Sequence, residues 1–577
     1  MTTSPLVLGP LIRYVDETSA SVWVKTVEAA RVTVRVAGDA WHARTFGVHG
    51  HHYALVVVDG LEPGSVSPYA VEVDGTTVWP LPQGQRDADR DAHGGDYPVS
   101  VIATLKPGKP LRLAFGSCRT SVAHDKAGNE SHGVDALRAL ARRMSTDRDA
   151  RWPDLVLFLG DQVYADETTQ EMQDFIRSRR DIEKPPGKEL KDFEEYTYLY
   201  QLAWQDPLNR WLLSTLPSSM IFDDHDVRDD WNTSYAWKQD IEQTDWWHDR
   251  IIGGLTSYWI YQHLGNLSPQ ERDKDDLWQQ VVAHQAEHAG DPGTSELDLS
   301  AALEAKAERV YAEPTSFRWS HVRQLGDVRL VVVDSRAARV LEPDRRKLLH
   351  DAELGWLDAQ LRGDVRHLLI GTSLPFLLPA GMHYLEAWNE AVAGGAWGRR
   401  AAELGEKLRR LVDLEHWGAF QETFQAVARM VEEVADGKRG KAPETVTFLS
   451  GDVHHSYLAE VRRQHWAGSS RIIQAVCSPI RNPLKRRMRF ATAALSYAVA
   501  GPIGKLMSRS AKVPRAPFSW HYLAGPWFDN SIAVLEERPD GLVFRWHAGT
   551  VGRGLWRRAD HLHPELTTIT EEVISPR

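Results

Sequence analysis

Hydrophobic and polar positions follow two different patterns along this chain. Up to about Leu105 the apolar runs are short and mostly alternate with polar residues. Examples are Ser21-Val22-Trp23-Val24-Lys25, Arg31-Val32-Thr33-Val34-Arg35-Val36, Tyr53-Ala54-Leu55-Val56-Val57-Val58 and Tyr69-Ala70-Val71-Glu72-Val73, with Gly and Pro between them. A period of two turns one side of a strand to a core and the other to water, so residues 1–105 are predicted to form an all-β sandwich. Leu61-Glu62-Pro63-Gly64 has turn composition, and His49-Gly50-His51-His52 reads as an exposed hairpin tip between strands.

After Pro110 the alternation stops. Unbroken apolar runs at 111–115, 155–159, 220–222, 328–333, 367–370, 446–449 and 472–476 are separated by helical segments. Strands apolar on both sides and divided by helices predict an α/β layered region over 106–577. Two stretches, 233–312 and 384–441, have helix-forming composition and spacing and are expected to be helical insertions that wall a site.

The chemistry lies where the apolar runs end. The run 155–159 leads into Gly160-Asp161-Gln162-Val163-Tyr164, the run 220–222 into Asp223-Asp224-His225-Asp226, and the run 446–449 into Ser450-Gly451-Asp452-Val453-His454. Carboxylate at three strand ends, two of them also carrying His, suits a metal site, and metal sites of this kind suit hydrolysis. Asp161 is the candidate bridge between two cations, since the preceding Gly lets the backbone turn and aim the side chain outward. Tyr164 is a candidate phenolate ligand that favours a strongly Lewis-acidic ion such as ferric iron. Cys118, in Phe115-Gly116-Ser117-Cys118-Arg119, is either a thiolate ligand of the same metal or buried filler. Asp224 would serve the second metal, with His225 beside it as general acid toward the leaving oxygen. Asp452 and His454, two apart on extended backbone, project to the same side, one toward each metal. Adjacent carboxylates repel unless a cation compensates them, which favours metal over a solvated acidic loop at Asp223-Asp224.

Several further groups carry alternatives. Arg336 and Arg339 either hold a phosphoryl oxygen or make structural ion pairs. His383 and Glu386 follow another strand-like run and either reach the site or, as is expected, pack; His455 is expected to point outward beside His454, and Cys477 to sit in the core.

In this order along the chain, Ser117-Cys118, Gly160-Asp161-x-x-Tyr164, Asp223-Asp224-His225-Asp226, Val333-Asp334-Ser335-Arg336 with Arg339, Ser450-Gly451-Asp452-Val453-His454 and Ser478-Pro479 resemble the PhoD-like alkaline phosphatase and phosphodiesterase family of the calcineurin-like metallophosphoesterases. The resemblance implies a four-layer α/β/β/α sandwich behind an N-terminal, fibronectin-like β-sandwich. It implies ferric iron on Cys118, Asp161, Tyr164 and His454, calcium on Asp161, Asp224 and Asp452, and His225 as the catalytic histidine. Two departures stand out. The family's pair of Asn after the acidic motif is replaced by Val227-Arg228-Asp229-Asp230-Trp231-Asn232, and the export signal of secreted members is missing.

Composition narrows the function further. A net charge of -11 and a pI near 6.1 argue against a nucleic-acid-binding domain. Only two cysteines, Cys118 and Cys477, exclude a disulfide framework and make a reducing compartment the default. The start of the chain lacks a basic region followed by a long apolar one, so the expected location is cytoplasmic. The apolar stretch 490–503 is shorter than the roughly 20 residues a spanning helix needs. The basic stretch 481–515 would draw in anionic substrate, rest on anionic lipid, or be a helix with its basic side in water.

The expected function is therefore hydrolysis of a small-molecule phosphoester by a metal-activated water, with Arg336 on the phosphoryl oxygens. The alternatives are a phospholipase D-like phosphodiesterase acting on lipid diesters and an inactive metal-binding scaffold.

Overall fold

Alternation becomes architecture in the first hundred residues. A computed structural model describes residues 4–81, 97–147, 149–288, 295–462, 468, 470–484, 500–553 and 559–576. One N-terminal sheet orders the strands Leu6–Val15, Ala20–Thr26, His51–Val58 and Phe46–Val48, and a second orders Asp39–Arg44, Arg31–Val36, Val66–Val73 and Thr76–Trp79. Val22, Val24, Val32, Val34, Val56 and Val71 fill one apolar cluster between them. Trp23, between two of those valines, faces the other way and packs on Tyr53 and Tyr261. The strand Ala20–Thr26 is therefore buried along its whole length, one side against the partner sheet and the other against the rest of the chain.

That second contact is made by the first helical insertion. Between 233 and 312 the chain forms helices Tyr235–Ile241, Trp247–Tyr258, Asp276–Glu287 and Ser300–Ala312. Its short strand Leu297–Asp298 joins the first N-terminal sheet in parallel with Phe46–Gly47. Buried Arg13 donates to the carbonyls of Tyr261 and Gln262, tying the two together. The turn His49-Gly50 does form a hairpin tip, with His51 on Glu194 and His52 on Glu296, both at 2.7 Å.

The remaining strands form two large sheets of a mixed α/β fold. One orders Ser218–Ile221, Leu155–Leu159, Arg112–Gly116, Ser531–Arg538, Gly541–Arg553 and Ala559–Ile574. The other orders His321–Leu325, Val328–Val333, His367–Thr372, Thr445–Ser450, Arg471–Val476, Ser456–Arg462 and Ser519–Trp527. Within each sheet the apolar runs anticipated from sequence pair in parallel, and the strands without such a run add antiparallel edges.

Alternate residues divide each buried strand between two cores. Leu330 and Val332 join Leu157 and Leu159 of the first large sheet, whereas Val331 and Val333 join Leu357, Phe424 and Val427 from the helices Asp351–Gln360 and Gln421–Ala435. Each such side chain contributes roughly 1.5–3 kcal/mol by leaving water. This double burial is why these strands read as continuous apolar runs. Gly371 lets the sheets approach, since a Cβ there would lie 3.2 Å from a Leu159 methyl.

Of the basic stretch 481–515, residues 485–499 lie outside the described residues. Helix Ala500–Ser510 packs Gly504 and Ser508 on Tyr384 and exposes Ile503 and Leu506. No helix among the described residues is long and apolar enough to cross a membrane.

Candidate metal centre

Parallel strands share a carboxyl edge, and the motif residues gather at that edge. Cys118 follows strand Arg112–Gly116, Asp161 follows Leu155–Leu159, Asp223 and Asp224 follow Ser218–Ile221, and Asp452 and His454 follow Thr445–Ser450. Cross-links between strand ends hold the edge together. The Cys118 amide donates to the Gly160 carbonyl at 3.2 Å, Gly451 N to Ser373 O at 2.9 Å, and Asp452 N to Ser117 Oγ at 3.0 Å.

Four of these residues leave their strands through left-handed backbone: Cys118 at φ 58°, Asp161 at 51°, Asp452 at 64° and His454 at 51°. Each such conformation costs a non-glycine residue of order 1–3 kcal/mol and persists only where the surroundings impose it. The Cβ of each is turned into the site as a result. Gly160 and Gly451 leave the room this requires. A Cβ on Gly160 would lie 2.6 Å from that of Asp223, and one on Gly451 would lie 2.0 Å from Ser117 Oγ.

Three overlapping groups have ligand atoms within 4.8 Å of one another: Cys118, Asp161 and His454; Asp161, Asp224 and His225; and Asp223, Asp224 and Asp452. Asp161 is common to the first two and Asp224 to the last two. Cys118 Sγ lies 3.2 Å from Asp161 Oδ2, and Tyr164 Oη lies 3.4 Å from the same oxygen. Ser478 Oγ donates to Cys118 Sγ at 3.3 Å and accepts from His454 N at 3.2 Å, so the Ser478-Pro479 motif buttresses thiol and imidazole together.

Electrostatics give the sharpest test of what this cluster is for. Asp161 Oδ1, Asp223 Oδ2 and Asp224 Oδ1 are buried and make no hydrogen bond. Burial, together with the neighbouring carboxylates and Cys118, pushes the Asp161 carboxyl well above its ordinary range, and burial with Asp452 close by does the same to Asp223. Burial also pushes the Cys118 thiol up to about 12 and His454 down to about 4, leaving that imidazole neutral. Orphaned, crowded carboxylate oxygens beside a neutral imidazole and a thiol fit cations well. The Cys118 and His454 side offers sulfur and nitrogen, while the Asp223, Asp224 and Asp452 side offers only oxygen and suits a harder ion.

His225 stands at the edge of this cluster. Its Nδ1 donates to both oxygens of Asp166, at 2.9 and 3.0 Å, and its ring centroid lies 4.6 Å from that of Tyr164. Burial alone would lower its pKa, but Asp166 and Asp224 carry it well above the usual imidazole range. Burial would raise Asp166, yet the charge and hydrogen bond of His225 bring it down to about 2.

Arg336 is fully buried and committed to protein carboxylates. Its Nε donates to Asp223 Oδ1, its Nη1 to Glu415 Oε2 at 2.5 Å, and its Nη2 lies 3.1 Å from Asp224 Oδ1. Arg339 shares Glu415 at 3.1 Å. Among the residues after the acidic motif, Asp230 N donates to Asp224 Oδ2 at 3.0 Å and Asn232 Nδ2 to the Arg336 carbonyl at 3.2 Å. The Asn232 amide nitrogen thus serves the backbone.

Sequence reasoning passed over several contributors. Asp166 lies two residues beyond Tyr164. Glu415 and His416 come from Asp413-Leu414-Glu415-His416 inside the second insertion, between helices Arg399–Leu411 and Gln421–Ala435. A run of acidic residues and His between two helices was the available signal. Glu386 was expected to pack but accepts from His416 Nδ1 at 2.7 Å. His383 does pack, on Phe424 and Trp520. His455 points inward, contrary to expectation. Its Nδ1 meets the Val453 carbonyl at 2.8 Å and its ring stacks on Tyr457.

Strand-end carboxylates, a thiol and imidazoles gather on one edge of a mixed α/β fold as candidate metal-binding groups, the arrangement of a metal-dependent hydrolase family. The chain belongs to the PhoD-like phosphatase family, whose family model matches residues 127–486. A domain family of unknown function, DUF7800, matches residues 3–90. Among solved structures, one described as the structure of PhoD aligns at 13% identity over 100% of this chain and 94% of that chain, with a TM-score of 0.55, a likeness of fold. GAP50, the anchor in the inner membrane complex of Plasmodium, aligns at 10% identity over 81% of this chain and 89% of that one, with a TM-score of only 0.30. No curated protein matches.

Proposed function

We propose that this protein is a metal-dependent phosphoester hydrolase of alkaline phosphatase and phosphodiesterase type that takes a small-molecule ester at the Asp161 edge. The observation that carries the reading is the crowding of buried carboxylates beside Cys118, Tyr164 and His454, with Asp161 Oδ1 and Asp223 Oδ2 left without hydrogen-bond partners and Asp224 Oδ1 facing Arg336 Nη2 at 3.1 Å. In this reading Cys118, Asp161, Tyr164 and His454 hold one cation, ferric iron by family resemblance. Asp161, Asp224 and Asp452, joined by Asp223, hold at least one more, calcium by the same resemblance. Cations bound there neutralise the phosphoryl oxygens and activate a water for attack.

The chain's own groups do the rest. His225, anchored through Nδ1 on Asp166, presents Nε2 to protonate the departing oxygen. Arg336 balances the charge of Asp223, Asp224 and Glu415, and we assign it this role in place of a clamp on substrate phosphate. The architecture behind the site is taken as a four-layer α/β/β/α sandwich over 106–577, preceded by a β-sandwich over 1–105.

Elemental analysis of untreated protein, with phosphoester turnover before and after chelation, tests this reading. At least two cations per chain and activity lost on chelation and restored by metal are expected. Hydrolysis that survives complete metal removal would refute it. A visible tyrosinate-to-iron absorption, bleached in Tyr164→Phe, would identify the ferric ion. A second reading, a lipid diester as substrate, draws on exposed Ile503 and Leu506 beside exposed Lys505 and Arg509. Comparing a chromogenic monoester with a phospholipid diester separates the two.

A further inference from the structure

The second insertion contributes a side chain that reaches a ligand of the proposed cation site from outside the strand-end motifs. His416 Nε2 lies 2.9 Å from Asp452 Oδ2, although the two come from different elements. Its other nitrogen, Nδ1, is held by Glu386 Oε1 at 2.7 Å, and the backbone N–H of His416 approaches the same oxygen at 3.4 Å. Glu386 is fully buried on helix Ala380–Ala393, and its Oε2 has no hydrogen-bond partner.

A buried carboxylate with one oxygen unsatisfied costs stability that a packed apolar side chain would not, so its presence calls for a role that only a charged acceptor can fill. Room is kept for it, since a Cβ on Gly418 would lie 2.6 Å from Glu386 Oε2. Fixing Nδ1 leaves the ring one orientation, and in that orientation Nε2 meets Asp452. We infer that Glu386 and His416 form a positioning pair that occupies Asp452 Oδ2 and turns Oδ1 toward Asp223 and Asp224, making Asp452 a one-oxygen ligand of the cation held there.

Two features support this beyond the distances. Asp452 sits on strained backbone at φ 64° with its side chain 18% exposed, so its rotamer needs an external hold. Arg336 Nη2 faces Oδ1 at 3.9 Å, which places that oxygen on the side of the acidic cluster. A hydrogen-bonded partner behind a metal ligand is worth about 10–100-fold in metal affinity.

The inference rests on the cation reading of Asp223, Asp224 and Asp452, and the experiment separates the two. Full-length protein is stripped of metal and titrated with manganese(II) chloride, with the free-ion paramagnetic resonance signal reporting bound ion. His416→Ala should weaken binding by about 10–100-fold. His416→Gln, whose amide can still donate to Asp452, should recover part of the loss, and Glu386→Gln should fall between wild type and His416→Ala. Melting of the stripped His416→Gln and Glu386→Gln proteins should stay near wild type, which removes misfolding as the cause. Wild-type affinity in Glu386→Gln, or equal losses in the Ala and Gln variants at 416, would overturn the positioning role. Failure of the wild-type protein itself to bind manganese would sink the cation site and the pair's role with it.

Discussion

Replacing Asp166 by Asn removes the charge that orients and supports His225 while keeping the side chain's shape. His225 Nδ1 makes its contacts at 2.9 and 3.0 Å to a single carboxylate, and Asp229 N also donates to Asp166, at 2.5 Å. A hydrogen bond to a charged partner is worth about 1.5–3 kcal/mol net. Lost from the transition state, that becomes roughly 10–150-fold in turnover. The loss should depend on the leaving group, because a general acid matters most where the departing alkoxide is a poor one. The assay therefore compares an alkyl phosphoester with p-nitrophenyl phosphate on metal-loaded protein. Turnover of the alkyl ester should fall by the full factor, while the p-nitrophenyl ester, whose phenolate leaves unaided, should change little.

The pH profile adds a second readout for the same variant. Asp166 and Asp224 hold His225 protonated well above the usual imidazole range against the effect of burial. A general acid works only while protonated, so without Asp166 its pKa drops and the alkaline limb for the alkyl ester should move to lower pH. Equal losses on both esters, or metal lost along with activity, would refute the role of His225 as acid and point to a ligand instead.

Two other outcomes follow from the buried charges. Arg336→Met leaves Asp223 and Glu415 without their shared cation, so stability in urea denaturation should fall by about 3–5 kcal/mol while KM of the metal-loaded enzyme stays near wild type; a large rise in KM at unchanged stability would restore Arg336 as a phosphate clamp. Cation binding should release protons and tighten as pH rises, because burial holds the Asp161 carboxyl well above its ordinary range and the Cys118 thiol at about 12, and both must ionise to act as ligands. Calorimetry in buffers of different ionisation enthalpy counts those protons, and pH-independent affinity would exclude Cys118 and Asp161 as ligands.

Much of the site was legible because strand ends advertise themselves. A doubly buried strand must be apolar along its length, so a carboxylate at its end marks the sheet edge, and Asp161, Asp224, Asp452 and His454 could be read from that transition alone. The same logic was silent on Asp166, two residues past the recognised Tyr164. It was also silent on His416, which lies in the connection between two helices, and it expected Glu386, on a helix with no periodic reason to face a strand end, to pack. The strands Ser456–Arg462, Ser519–Trp527, Ser531–Arg538, Gly541–Arg553 and Ala559–Ile574 were likewise missed, since each carries polar or charged residues within its span and shows no unbroken apolar run from end to end.

Sequence by itself determined the local elements: a period-two N-terminal region, apolar strands separated by helices, and acidic motifs placed where those strands stop. These depend on residue type and short-range spacing, which one chain displays openly. Tertiary structure alone decided which carboxylate oxygens remain unpaired, which cation neutralises Asp223 and Glu415, and that His416 of the second insertion reaches back to Asp452. Those outcomes depend on side chains far apart in the chain meeting where water is excluded. In such surroundings a few ångströms decide whether a charge is balanced, and no local pattern records that distance.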